Sequence, residues 1–187
     1  MMNYKEVINR DGRLIIAKGI YSHLSVSDLQ NEVTLEQERI KMFGKELLVP
    51  RLVAYQGELG YKYSGVKHPA KMYTPICKRL IEQVAESVNF RFNSALFNYY
   101  ATGEDYMGYH KDDEPEIDHT YIASLSFGAT RKFNCRHIDG ELVSLQLEHG
   151  DLLIMENFQV FWKHALPKTK KVHEPRLNLT FRKIISE

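Results

Sequence analysis

Arg176-Leu177-Asn178-Leu179-Thr180-Phe181-Arg182 alternates polar and apolar side chains without a break. A period of two is that of a β-strand with one apolar and one polar face. Five more candidates of this kind precede it, at residues 95–100, 122–127, 131–136, 142–147 and 151–155. Turn residues separate them, notably Asp139-Gly140 and His149-Gly150-Asp151. Earlier in the chain, Leu14-Ile15-Ile16 and residues 49–56 read as strands, and 25–33 as a short helix with Ser and Asp start signals. Thr74-Pro75 opens the clearest helix, with Ile76, Leu80, Ile81, Val84 and Val88 on one face. Thr is a good N-cap and Pro is tolerated at the first helical position. A helix-bearing flank followed by many short antiparallel strands predicts an α+β protein with N-terminal helices and a double-stranded β-helix, or jelly-roll, core.

A chain of 187 residues predicts one domain over 1–187, large enough to bury a core without disulfides or structural metal. No run of 18 apolar residues is present, so no transmembrane helix and no membrane partner are expected. The start, Met1-Met-Asn-Tyr-Lys-Glu, lacks an apolar signal region, so the protein is expected not to be secreted. The expected compartment is cytoplasmic, or nuclear in a eukaryote, and the expected state is a monomer. Cys77 and Cys135 lack C-x-x-C spacing and read as reduced thiols. A net charge of +1 announces no polyanion partner by itself. The charge is clustered, however, at Arg131, Lys132, Arg136 and His137, and again at Lys168, Lys170 and Lys171. Both clusters are candidates for phosphate contacts.

Three H-x-D sequences are present: His110-Lys-Asp112, His137-Ile-Asp139 and His149-Gly-Asp151. Asp139 precedes Gly140 in a turn, where its carboxylate is used on local backbone. His149 and Asp151 flank a glycine and lie too close to His164 to leave several strands between ligand groups. His110 and Asp112, at i and i+2 of an extended segment, project to one side. The long interval to His164 allows several strands to bring the chain back. Two histidines and a carboxylate form the facial triad that holds non-haem Fe(II) with positions open for a co-substrate and O2.

Arg176, Asn178, Thr180 and Arg182 share one strand face, with the two arginine Cα atoms about 20 Å apart. Arginine forks leaning inward leave room for a short dicarboxylate, which they match better than lysine. Asn98 and Tyr100, again i and i+2, add hydrogen-bonding groups from another strand. The set predicts a dioxygenase using Fe(II) and 2-oxoglutarate as co-substrate.

At these residues the chain resembles the AlkB family of nucleic-acid dealkylating dioxygenases. The likeness runs over about 42–183 and includes Met42-Phe-Gly-Lys45, Pro50-Arg51, Tyr61-Lys-Tyr-Ser-Gly65, Asn98-Tyr-Tyr100, His110-Lys-Asp-Asp-Glu-Pro-Glu116, Ser124-Leu-Ser-Phe-Gly-Ala129, His149-Gly-Asp-Leu-Leu153, His164-Ala-Leu-Pro167 and Pro175-Arg-Leu-Asn-Leu-Thr-Phe-Arg182. It is strongest to the animal homologues that repair 1-methyladenine and 3-methylcytosine. The resemblance implies a flank and nucleotide-recognition lid over about 1–70 and a catalytic jelly roll over about 90–187.

It also implies roles. His110, Asp112 and His164 bind Fe(II). Arg176 pairs with the distal carboxylate of 2-oxoglutarate, and Asn98, Tyr100, Asn178, Thr180 and Arg182 complete that pocket. Tyr63 stacks on an extruded base with His110 on its other side, while Asp113 and Glu114 read the base's polar edge. Tyr61 and Arg51 shape the entrance, and His149 and Asp151 are structural. Phe43, with Gly44 and Lys45, matches a finger that fills the gap left by the base, as extrusion of a paired base requires. The implied reaction is oxidative demethylation of methylated DNA or RNA, releasing formaldehyde, succinate and CO2. One departure concerns the hairpin between Arg136 and Leu147, which is shorter than in the duplex-preferring homologue and leaves single strands open. The alternative reading is a 2-oxoglutarate-dependent hydroxylase of a protein or small molecule.

Overall fold

Alternating apolar runs fold into two facing sheets, seen in a computed structural model that describes residues 4–42, 45–63 and 66–185. At 40–42, 45–47, 61–63 and 66–67 the backbone alone is described. Phe43 and Gly44 therefore lie outside the described residues, as do the side chains of Lys45, Tyr61 and Tyr63. In chain order the elements are β1 (Tyr4–Asn9), β2 (Arg13–Ala17), α1 (Val26–Gln30), β3 (Glu36–Met42), β4 (Lys45–Gly57), β5 (Tyr61–Tyr63), β6 (Val66–His68) and α2 (Pro75–Val88). The second half adds β7 (Ser94–Tyr100), β8 (Met107–His110), β9 (Ile117–Gly128), β10 (Arg131–His137), β11 (Leu142–Leu147), β12 (Leu152–Glu156), β13 (Trp162–Leu166) and β14 (Arg176–Ile184).

One sheet runs β1-β2-β12-β9-β14-β7-β4-β3 and the other β11-β10-β13-β8, while β5 and β6 form a separate hairpin. The pairings are antiparallel, and the architecture is a jelly roll with its helices on one face. The expected jelly roll with helices on its flank is present, and its balance is mainly β among the described residues, because α1 is only Val26–Gln30.

The expected helix at Thr74 is α2. Cys77, Leu80, Ile81 and Val84, one stripe of a 3.6-residue period, are its buried residues, with Ile76 and Val88 half-buried beside them. Thr74 does not cap with its own side chain. Its N–H instead donates to Gln56 Oε1 at 3.0 Å, and Ile76 N–H donates to Glu32 Oε2 at 3.2 Å. Tertiary carboxyl and amide oxygens thus satisfy the helix's open N–H groups.

The core is in two parts. The helices cover Ala123, Leu125, Phe127, Leu177, Leu179 and Phe181 on one face of the large sheet. Between the sheets lie Ile122, Leu153 and Met155 from the large one and Phe133, Cys135, Leu147 and Trp162 from the small one. Strand β14 divides the two: its apolar residues face the helices, and Arg176, Asn178, Thr180 and Arg182 face the inter-sheet space, where all four are buried. The cationic face of this strand is therefore interior. Phe181→Ala should remove about 3–5 kcal/mol of stability, a large fraction of the ~5–15 kcal/mol of an ordinary domain. Urea unfolding measures it, and a loss under about 1 kcal/mol would contradict this account of the helix-side core.

The two decoy H-x-D pairs are structural. His137 is buried with its ring nitrogens 3.2 Å from Asp11 and 2.8 Å from Asp139, whose Oδ1 also accepts the Glu141 N–H. His149 Nδ1 accepts the Gly128 N–H at 3.0 Å, and Asp151 accepts the N–H groups of Gly19 and Glu148. Cys77 and Cys135 are both buried free thiols.

Candidate metal centre and co-substrate pocket

Strands β8 and β13 are neighbours, and their register sets His110 directly opposite His164. The two rings lie 4.2 Å apart between centroids. Asp112 follows β8 by two residues and is buried against them. One ligand atom from each of the three residues lies within 4.8 Å of the others, the one such cluster among the described residues.

Each ligand is held from behind. His110 Nδ1 is 2.9 Å from the Gly108 carbonyl oxygen. A carbonyl only accepts, so this nitrogen carries the hydrogen and Nε2 presents its lone pair. His164 stacks on Phe133 with ring centroids 5.5 Å apart. The Asp112 N–H donates to Gln159 Oε1 at 3.1 Å, and its carboxylate Oδ1 accepts from Arg182 Nη2 at 2.6 Å.

Protonation favours a cation. Burial would raise the Asp112 carboxyl, but Arg182 and the two histidines outweigh it and hold it at about 2. Burial pushes His164 down to about 3, and His110 is lowered for the same reason. Two neutral imidazoles and one carboxylate are the protonation states that a divalent ion requires.

The pocket beyond the triad is lined by Arg51, Asn98, Tyr100, Arg176, Asn178, Thr180 and Arg182 on the large sheet and Met107, Phe133 and Leu166 on the small one. Its ends differ. Arg182 sits at the triad, whereas Arg176 donates to Ser126 Oγ at 2.9 Å and lies 5.4 Å from the Tyr100 ring centroid. Asn178 donates to Ser124 Oγ at 2.6 Å, and Thr180 Oγ1 donates to Asn178 Oδ1 at 3.0 Å.

Arg176 is 3% exposed, and no carboxylate pairs with it among the described residues. Among the described residues its Nε has no hydrogen-bond partner, and burial lowers its pKa to about 10. A buried cation without an anion is costly. The residues fit a group that brings a carboxylate to this end and a metal-chelating function to the other.

Several sequence-predicted residues stand elsewhere. Arg51, expected near the entrance, is buried in the pocket wall, with Nε donating to Asn98 Oδ1 at 2.7 Å. Its position follows from β4 pairing with β7, which local sequence does not reveal. Asp113 is exposed and Glu114 half-buried just past the triad, and neither lines this pocket. Burial raises the Glu114 carboxyl, whose Oε2 has no hydrogen-bond partner among the described residues. Of the first basic cluster, Arg131 is buried and donates to the carbonyls of Thr102, Gly103, Asp105 and Pro167, which makes it a loop staple. Ser124, Ser126, Gln159 and Met107 were not anticipated. Ser124 and Ser126 alternate along β9 and carried a signal only as part of the Ser124-Leu-Ser-Phe-Gly-Ala129 motif.

Residues 21–182 match the family described as the 2OG-Fe(II) oxygenase superfamily. The chain is 39% identical over 196 residues to the DNA oxidative demethylase ALKBH2 of Bos taurus, covering 96% of this chain and 70% of that protein. It is 41% identical over 148 residues to the alpha-ketoglutarate-dependent dioxygenase alkB homolog 3 of Homo sapiens, covering 72% of this chain and 52% of the relative. It thus spans about half the length of that second relative. A solved structure of OsALKBH1 superposes with a TM-score of 0.69 over 96% of this chain and 100% of that one. At 15% identity, that match bears on the fold alone.

Proposed function

Because the chain belongs to the 2OG-Fe(II) oxygenase superfamily, and within it to the AlkB family, we propose that it oxidatively demethylates N-alkylated nucleobases such as 1-methyladenine and 3-methylcytosine in DNA. The observation that carries this is the pairing of a His110–Asp112–His164 triad with a buried, carboxylate-free Arg176 in one pocket. Relatives with about 40% identity named as DNA demethylases point the same pocket at methylated bases.

His110, Asp112 and His164 hold the metal, and Arg182 keeps the Asp112 carboxylate ionised and oriented. Arg176 takes the far carboxylate of 2-oxoglutarate by its planar fork, with Asn98, Tyr100, Asn178 and Thr180 fixing the molecule's roll along β14. Bound Fe(II) supplies the means to spend O2 and 2-oxoglutarate, leaving succinate and CO2, on hydroxylating an N-methyl group. The hydroxymethyl product loses formaldehyde, and the base recovers its N–H or ring nitrogen.

The base must leave its stack to reach the triad. Tyr63 and His110 hold it between them, and Asp113 and Glu114 favour the cationic lesions. Phe43, Gly44, Lys45 and Tyr61 manage the vacated stack and the approach, while Arg51 braces Asn98 in the pocket wall.

The test is formaldehyde release from 1-methyladenine oligonucleotides with Fe(II) and 2-oxoglutarate, as single-stranded DNA, duplex DNA and RNA in parallel. Release that His110→Ala abolishes is expected. Turnover of 2-oxoglutarate with no polymer demethylated would instead favour a hydroxylase of another substrate.

A further inference from the structure

The strands of the smaller sheet, β8, β10, β11 and β13, contain no aspartate or glutamate. Their inward side chains, among them Phe133, Cys135, Trp162 and His164, are buried. The alternate residues Lys132, Arg136 and Lys163 are exposed on the outer face. Register sets Arg136 directly opposite Lys163. Lys111 follows His110, which stands opposite His164, so it extends the same line to the sheet's edge.

Like charges opposed across a ladder repel. Lys132 lies on the same outer face, four residues before Arg136 along β10. No carboxylate relieves this face: none of Lys111, Lys132, Arg136 and Lys163 forms an ion pair among the described residues. The contrast with Arg10, Arg13 and Arg91 is direct, since each of those surface arginines holds at least one carboxylate. Arg136 instead lies over the Tyr109 ring, 4.2 Å from its centroid, which fixes the guanidinium without neutralising it. Among the described residues Lys111 Nζ donates only to a backbone carbonyl, that of Val160, at 2.6 Å.

We propose that this outer face carries the phosphodiester backbone of the nucleic-acid substrate beside the base delivered to the pocket. The proposal rests on the dealkylase reading above. The same two strands present His110 and His164 inward and Lys111 and Lys163 outward, so a polymer whose base enters beside β8 crosses one edge strand to reach the row. Strands lie about 4.8 Å apart, so three cations in line span about 10 Å. That length is about three rises of ~3.4 Å per nucleotide, the span of about four consecutive phosphates of one strand.

Counterion release gives the test its readout. Each phosphate neutralised adds ~0.7 to the slope of log K against log salt on a single strand and ~0.9 on a duplex. Affinity is read by fluorescence anisotropy on a single-stranded DNA of ~15 nucleotides with one central 1-methyladenine. The combined variant Lys132→Gln, Arg136→Gln, Lys163→Gln should lower the slope by ~2. Removing three charges elsewhere, with Lys5→Gln, Lys78→Gln, Arg79→Gln, should leave it unchanged. Both variants should demethylate a 1-methyladenine trinucleotide, too short to cross the face, with the wild-type kcat/KM.

A wild-type slope in the first variant overturns the proposal, as does an equal loss in the second. So does a first variant that loses binding only to phosphatidylserine vesicles. Wild-type protein that demethylates no oligonucleotide overturns the dealkylase reading and the proposal with it, whereas active wild type with an unchanged variant slope sinks the docking face alone.

Discussion

Asp112→Asn is expected to abolish demethylation and weaken Fe(II) binding by more than about 100-fold, the most that losing even an outer partner of a ligand costs. Asp112 supplies the one negative charge of the triad, and the two imidazoles beside it are neutral. Asparagine keeps the shape and removes the charge, while the guanidinium of Arg182, 2.6 Å from the lost oxygen, remains. A dication then meets a cation where it met an anion. The same change breaks a buried ion pair, at a cost of about 3–5 kcal/mol. The two losses separate in the double variant Asp112→Asn, Arg182→Met, which should recover stability without recovering metal or activity. Anaerobic Fe(II) titration beside urea unfolding measures both. Near-native Fe(II) affinity in Asp112→Asn would remove this residue from the metal centre.

Arg176→Met should raise the KM for 2-oxoglutarate by about 10- to 100-fold, as losing a charged hydrogen bond of about 1.5–3 kcal/mol implies. Its effect on folding runs the other way. Arg176 is buried without a carboxylate and with an unpartnered Nε, so an apolar side chain of similar length relieves a desolvated charge. Without co-substrate the variant should melt at or above the wild-type temperature, and with saturating 2-oxoglutarate below it, because ligand binding stabilises the wild type more. Arg176→Lys should not rescue KM, since an ammonium lacks the bidentate fork. An unchanged KM, or a variant destabilised without ligand, would contradict the co-substrate role.

What local chemistry controls is legible in the sequence. The period of two in 176–182 is a property of adjacent residues, and it appears as β14 with the residues on the faces expected. The apolar stripe after Thr74-Pro75 likewise became α2, and the rejected H-x-D pairs proved to be turn and loop fasteners. Long-range pairing was not readable. Met107–His110 is four residues with a glycine, and Trp162–Leu166 carries a lysine and a histidine, so neither stands out as a strand. Each is a strand because the other is beside it, and the opposition of His110 and His164 follows from that pairing. Arg182 and Asp112 meet across 70 residues of sequence. Alternation assigned two faces to β14, but only the helices packed on its apolar side determine that the cationic side is interior.

Strand β14 lies in the middle of the large sheet, bonded along its length to β7 and β9, whereas β8 is an edge strand with β13 as its neighbour. Amide hydrogens in a central ladder exchange with solvent only when the whole domain opens, and those at an edge exchange through local fraying. The pocket is therefore assembled from opposite extremes of backbone persistence. Amides along its Arg176 wall are therefore expected to exchange as slowly as the fold opens, and those on the His110 side faster, through fraying that leaves the rest of the domain folded.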